Sequence, residues 1–183
     1  TNMYFGFDNV GANDNIVVYF NTNDLGGDSA DSSATHTLPF GAEHMMTIGS
    51  DGTNSFMSHS LTGWQTSTAN GALNVASDAG FVEASFPISG LGSYTDCADI
   101  VVLISDDTTG DLTVVHPAPA GGITAGAMVL TDSYKMELGT QDLADGTMTD
   151  QVMLYRSFMF SSTPTAGHTY DIMVKTEAEA RHT

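Results

Sequence analysis

The chain is short of positive charge. Its 183 residues hold four Lys and Arg against 22 Asp and Glu, giving a formal net charge of −18 at pH 7. None of the four stands before Lys135, whereas residues 1–134 carry 13 Asp and 2 Glu. Such a surface repels nucleic-acid phosphates and anionic membranes, so nucleic acid is excluded as a partner. It suits high salt, divalent cations or a solubilised extracellular face.

Cysteine is nearly missing. A single Cys97 rules out an intrachain disulfide without fixing the redox compartment, and within "YTDCADIVVLI" it reads as a small buried hydrophobe rather than a nucleophile. There is no run of 18 apolar residues, and hence no membrane span. A basic-plus-apolar leader pattern is also lacking. The chain starts in mid-strand at "TNMYFGFD", which reads as a processed or truncated N-terminus. Helical periodicity is almost absent throughout.

What is present is a succession of strand-like runs bounded by Gly, Asn, Asp and Ser, in a chain whose 41% hydrophobic content can fill a core. The pattern predicts strands at about 2–8, 15–21, 43–49, 54–59, 72–76, 80–87, 99–105 and 111–116, and further ones at about 126–138, 148–161 and 168–176. The fold class is all-β with little helix: an antiparallel β-sandwich of jelly-roll or immunoglobulin-like kind. "IVVYF" and "IVVLI" read as strands covered on both faces, while "VEASF" alternates as a strand with one wet face. "HPAPAGGITAG" (116–126) is the best internal boundary, because Pro117 and Pro119 cannot donate ladder hydrogen bonds. Residues 1–116 therefore read as the main body, 117–126 as a connection, and 127–183 as a C-terminal β segment that completes the same sandwich.

Residue order adds a resemblance. "MYFGFD", "DNIVVYFNTND", "THTLPFGAEHMMTIGSDG", "GFVEASFPISGLG" and "DIVVLISDDTTGDLTVVHP" together resemble the carbohydrate-binding family 9 and DOMON-like β-sandwich group over about residues 2–116. The best single match is "VEASFPISGLG", where Pro87 ends the pairing and Gly90 and Gly92 supply the turn after Leu91. The resemblance implies a sandwich whose members bind sugars, bind haem or act as surface modules. Members usually carry a strand before the one matching "MYFGFD". Its loss would leave a sheet edge for a neighbouring subunit to fill.

Three loops offer the oxygen ligands that Ca²⁺ requires: "DNVGANDN" (Asp8, Asn9, Asn13, Asp14), "NTNDLGGDSAD" (Asn23, Asp24, Asp28, Asp31) and "SDDTTGD" (Asp106, Asp107, Asp111). None is an EF-hand. The alternative for each is a solvated turn, since Asp side chains bond nearby backbone amides. Asp24, Asp28 and Asp31 lead this set. Trp64, the only tryptophan, is the candidate carbohydrate platform, with a lid on the sandwich as the competing role. "HTLPFGAEHMM" supplies His36, His44, Met45 and Met46 for haem or copper, but adjacent Met on a strand point to opposite faces and usually fill cores. No G-x-S-x-G or H-E-x-x-H organises a nucleophile or a catalytic metal, so no enzyme is expected. The combined expectation is a non-catalytic, calcium-stabilised module of the extracellular surface. It would associate with copies of itself or with a surface protein. A carbohydrate-binding module of a secreted enzyme and a haem-binding redox domain are the alternatives.

Overall fold

The computed structural model describes residues 2–22, 27–60, 62–67, 71–78, 80–92 and 97–137, with the backbone alone for Cys97 and Glu137. The predicted strands at 148–161 and 168–176 lie outside the described residues. Within them the chain forms β1 (Asn2–Phe7), β2 (Asp14–Asn21), β3 (Asp28–Ala30), β4 (Thr37–Ala42), β5 (His44–Ile48) and β6 (Asn54–Ser60). The others are β7 (Gly63–Thr66), β8 (Asn74–Asp78), β9 (Phe81–Pro87), β10 (Cys97–Asp106), β11 (Leu112–His116) and β12 (Tyr134–Glu137). Every named strand pair is antiparallel, as an all-β sandwich requires.

The large sheet runs β11-β10-β2-β5-β6-β7, with β12 also pairing with β10. Its centre is the pair of double-sided apolar strands. β2 and β10 register Ile16 with Ile104, Val18 with Val102 and Phe20 with Ile100, and these side chains all enter one core. The alternate residues Val17, Tyr19, Val101 and Leu103 point the other way into a second core. Both strands are thus covered on both faces, which is why they carry almost no polar residues between their ends.

The first core lies between the large sheet and a small one, ordered β1-β9-β8. β9 alternates as its sequence suggests: Val82, Ala84 and Phe86 are buried and Glu83 is exposed. Phe86 sits at the centre, with ring centroids 4.4 Å from Phe56, 5.6 Å from Phe20 and 6.2 Å from Phe5. Pro87 faces Asn2 as the last pair of the ladder, so pairing ends at Pro87 as expected. A 3-10 turn follows (Ile88–Leu91), and it is Gly92 alone, at φ +72°, that takes the left-handed conformation.

The second core is roofed by the hairpin β3-β4 and residues 128–130, through Leu38, Ala42, Met128 and Leu130. Thr37 fixes this roof by accepting from the Leu130 N–H at 2.9 Å and donating to the Met128 carbonyl at 2.8 Å. The strand expected over 126–138 is therefore confined to Tyr134–Glu137, and the preceding residues pack as an irregular cover. Residues 127–137 join the main body's sheet and second core.

Tyr19 is the polar centre of that second core. Its ring is 1% exposed, and its hydroxyl donates to Ser32 Oγ at 3.0 Å and accepts from the Ser32 N–H at 2.8 Å. Burial raises its pKa to about 12; the Ser32 bonds oppose this, and the Asp31 charge adds to it. The folded pKa stands above the unfolded value near 10, so this stability is complete below pH 10 and lost as pH rises to about 12. A shift of about two units corresponds to roughly 2.7 kcal/mol. Urea unfolding between pH 9 and 12 should show that decline in the native chain and a shallower one in Tyr19→Phe.

Candidate functional site

The fold gathers two of the three acidic loops at one end. β2 begins where β10 ends, with Asp14 opposite Asp106. The Asp107 N–H donates to the Asn13 carbonyl at 2.8 Å, and the Asp106 N–H donates to the Asp111 carbonyl at 2.9 Å. Asp107 then ties in a third element: its carboxylate accepts from Asn15 Nδ2 and from Ser50 Oγ, each at 2.9 Å. Asp106 accepts from the Thr108 and Thr109 N–H groups at 2.8 and 2.9 Å, and the Thr109 and Thr108 amides hold its carboxyl below the usual range. Asp51 behaves alike, held down by the Thr53 backbone N–H and hydroxyl. Asp8 accepts from the Asn9 N–H at 2.9 Å, closing a local turn.

At this end a cavity of about 320 Å³ opens between the two sheets. Ile16 and Ile48 of the large sheet and Val75 and Val82 of the small one line it, together with Asp14 and Asp78. The Asp14 carboxylate accepts from the Gly11 N–H at 2.7 Å.

The second acidic loop is elsewhere, at the roof of the other core. Asp31 is 7% exposed and serves its own loop: Oδ1 accepts from the Thr35 and His36 N–H groups at 2.7 and 2.8 Å, and Oδ2 from Ser33 Oγ at 2.6 Å. Asp28 accepts from the Ala30 N–H at 2.9 Å and stands 3.8 Å from His59 Nε2. Asp24 and Asn23 lie outside the described residues. Among the described residues no group of three or more His, Cys, Asp and Glu is placed to hold one metal ion.

Trp64 lies on β7. It is half-buried at the rim of the second core, 6.2 Å from the Tyr19 ring and 5.2 Å, edge-on, from His59. Met46 fills the first core and Met45 the second, as adjacent strand residues must. His44 bonds Ser58 Oγ at 2.9 Å and stacks on Phe56, while His36 Nδ1 accepts from the Met128 N–H at 3.3 Å.

Two features were not singled out from sequence. Glu43 is 7% exposed and accepts from the Thr22 N–H and hydroxyl; only burial distinguishes it from a surface Glu. Tyr4 is 69% exposed on the outer face of the small sheet, beside Ser85 in the ladder. Among the described residues β1 has a hydrogen-bonded neighbour on one side only. Its sequence "NMYFGF" contains no charge and no proline, the devices that usually blunt an edge. β8, at the opposite edge, is polar and ends in the exposed Asp78.

Comparison with known family models, curated proteins and solved structures finds no match. The likeness of residues 2–116 to the carbohydrate-binding family 9 and DOMON-like group accordingly stays a likeness, and function has to be argued from geometry.

Proposed function

We propose that the chain is a non-catalytic β-sandwich module of the extracellular or cell surface. It associates with a second copy of itself by pairing β1 edges. The supporting observation is the character of that edge. Among the described residues β1 offers an unblunted row of backbone groups, and its Phe5 and Phe7 remain only partly buried although both pack on the first core. An added strand completes the ladder and covers those rings, the mode known as β-augmentation.

The formal charge of −18 opposes such pairing at low ionic strength. Association should therefore strengthen with salt as screening shortens the range of repulsion. Sedimentation velocity over a salt series is expected to show a concentration-dependent dimer or longer assembly. Tyr4→Asp places like charges opposite or diagonal across a two-fold β1 pair and should weaken association at least about fivefold with the melting temperature held within a few degrees. A native protein monomeric at every salt and concentration, or a variant that associates equally well, sinks the proposal.

Calcium stabilisation belongs to the same reading; its support is that the fold brings the backbones of the two loops carrying Asp14 and Asp106–Asp111 to one end, while among the described residues no three of their carboxylates converge on one point. CaCl₂ should raise the melting temperature above NaCl of matched ionic strength, and EDTA should reverse the gain. Identical melting curves remove calcium from the account while leaving the edge intact.

The glycan alternative has one observation in its favour, and it is not at Trp64. The exposed Tyr4 ring, with Asn74, Glu83 and Ser85, lines a shallow groove of about 160 Å³ on the outer face of the small sheet. Retention on insoluble polysaccharide that Tyr4→Ala abolishes, in a protein that stays monomeric, would favour this reading over assembly.

A further inference from the structure

The outer face of the small sheet stays open when β1 edges pair, because an added strand extends a sheet sideways and covers neither face. Strand alternation decides what that face presents. Tyr4 and Gly6 of β1, Phe81 and Glu83 of β9, and Ala76 and Asp78 of β8 point outward, away from the buried Met3, Val82 and Ala84. Four large apolar side chains are exposed among the described residues, Tyr4, Phe81, Ile123 and Val129, and two of them stand on this face. The Phe81 ring reaches across to β1, where a Cβ on Gly6 would lie 3.2 Å from Phe81 Cζ. Tyr4 is two residues from Gly6 on the same face, so the two rings flank one stretch of the strand.

Glu83 stands beside that stretch, on β9 between Phe81 and Ser85, the residue opposite Tyr4. Its cross-strand neighbours are Gly6 on one side and Ala76 on the other, both too small to shield it. Among the described residues the Glu83 carboxylate takes part in no hydrogen bond or ion pair. Asp78, opposite Phe81, adds a second negative charge to the face, and residues 1–134 contain no Lys or Arg to offset either.

We propose that this face docks an arginine-bearing extended segment of a partner protein, with a guanidinium group against the Tyr4 and Phe81 rings and paired with Glu83. Arginine is the side chain that uses both features at once. Its planar guanidinium stacks on an aromatic face and gives a carboxylate two N–H groups, whereas the lysine ammonium is a compact, strongly hydrated point charge. A neutral glycan gains the rings but leaves Glu83 and Asp78 without a counter-charge, and an anionic partner is repelled. The groove beside Tyr4 and Glu83 holds about 160 Å³, below the roughly 300 Å³ at which small-molecule pockets begin, so it suits an extended chain lying on the sheet.

The test uses three peptides on the full chain: acetylated and amidated Ser-Arg-Ser-Arg-Ser, its lysine counterpart, and its citrulline counterpart, which keeps the planar shape and loses the charge. Each is titrated at pH 7 by ¹H–¹⁵N NMR in low salt, where β1 pairing is weakest, so the outcome does not depend on self-association. The arginine peptide should shift the amides of Tyr4, Gly6, Ala76 and Glu83 and bind at least about threefold tighter than the lysine peptide, since one stacked cation adds several-fold. The citrulline peptide should bind weakest. Tyr4→Ala combined with Phe81→Ala should bring arginine down to the level of lysine. Glu83→Gln should weaken both charged peptides, while Asp111→Asn, which removes the same charge from a turn at the end of the sandwich, should weaken neither. Equal affinity for arginine and lysine would overturn the proposal, as would equal effects of Glu83→Gln and Asp111→Asn, or shifts centred on the acidic loops. Cellohexaose moving the same four amides while the arginine peptide moves none would assign the face to a glycan instead.

Discussion

Phe86→Ala is expected to lower the unfolding free energy by about 3–5 kcal/mol, the range for removing a large aromatic from a packed core. Phe86 is fully buried and its ring touches neighbours from β1, β2 and β6, so it joins the small sheet to the large one. No single element can close the space it leaves. Phe81, five residues earlier on the same strand, is 44% exposed with its ring over Gly6, and Phe81→Ala should cost below about 1 kcal/mol. Urea unfolding of the two variants measures the contrast. A Phe86→Ala loss under about 1 kcal/mol would mean that the two sheets do not share the core described.

The second large effect concerns Asp31. Asp31→Ala removes one acceptor from three donors, the Thr35 and His36 amides and the Ser33 hydroxyl, and should cost about 2–3 kcal/mol. Asp31→Asn keeps an oxygen for the two amides and lets the Ser33 hydroxyl turn to accept, so its cost should be under half as much. This ordering should hold equally in EDTA and in calcium, because the carboxylate's partners are the loop's own. Equal losses for Ala and Asn, present in calcium and absent in EDTA, would instead make Asp31 a cation ligand.

The parts of the fold that were legible are those where burial is written into composition. "IVVYF" and "IVVLI" announce strands covered on both faces, and "FVEASF" announces one wet face, because period-2 alternation follows directly from side-chain direction. β4 was hidden by Pro39 and Gly41, residues that argue against a strand interior and are tolerated here in a two-stranded hairpin. β3 and β7 are too short, at three and four residues, to show any period. The expected strand at 126–138 went the other way. Its apolar residues Met128 and Leu130 are there to roof a core, a role that needs no ladder.

The candidate site was less legible, for a different reason. Acidic loops can be found by composition, but which of them meet depends on register. Asp14 and Asp106 are neighbours only because β2 and β10 pair antiparallel, and nothing local to "DNVGANDN" or "SDDTTGD" encodes that pairing. Burial was equally hidden: Asp31 and Asp106 look alike in sequence, yet one is 7% exposed under a hairpin and the other lies in an exposed turn. The edge character of β1 falls between these cases. Its lack of charge is visible in "NMYFGF", whereas its position at the end of a three-stranded sheet is not.

Hydrogen exchange read by mass spectrometry, comparing the chain at low concentration and low salt with the chain at high concentration and high salt, tests the edge most directly. Pairing through β1 predicts that amides of residues 2–7 gain protection in the second condition while those of β8, the other edge of the same sheet, do not. Association with unchanged exchange in β1, or protection gained at β8 instead, would contradict it.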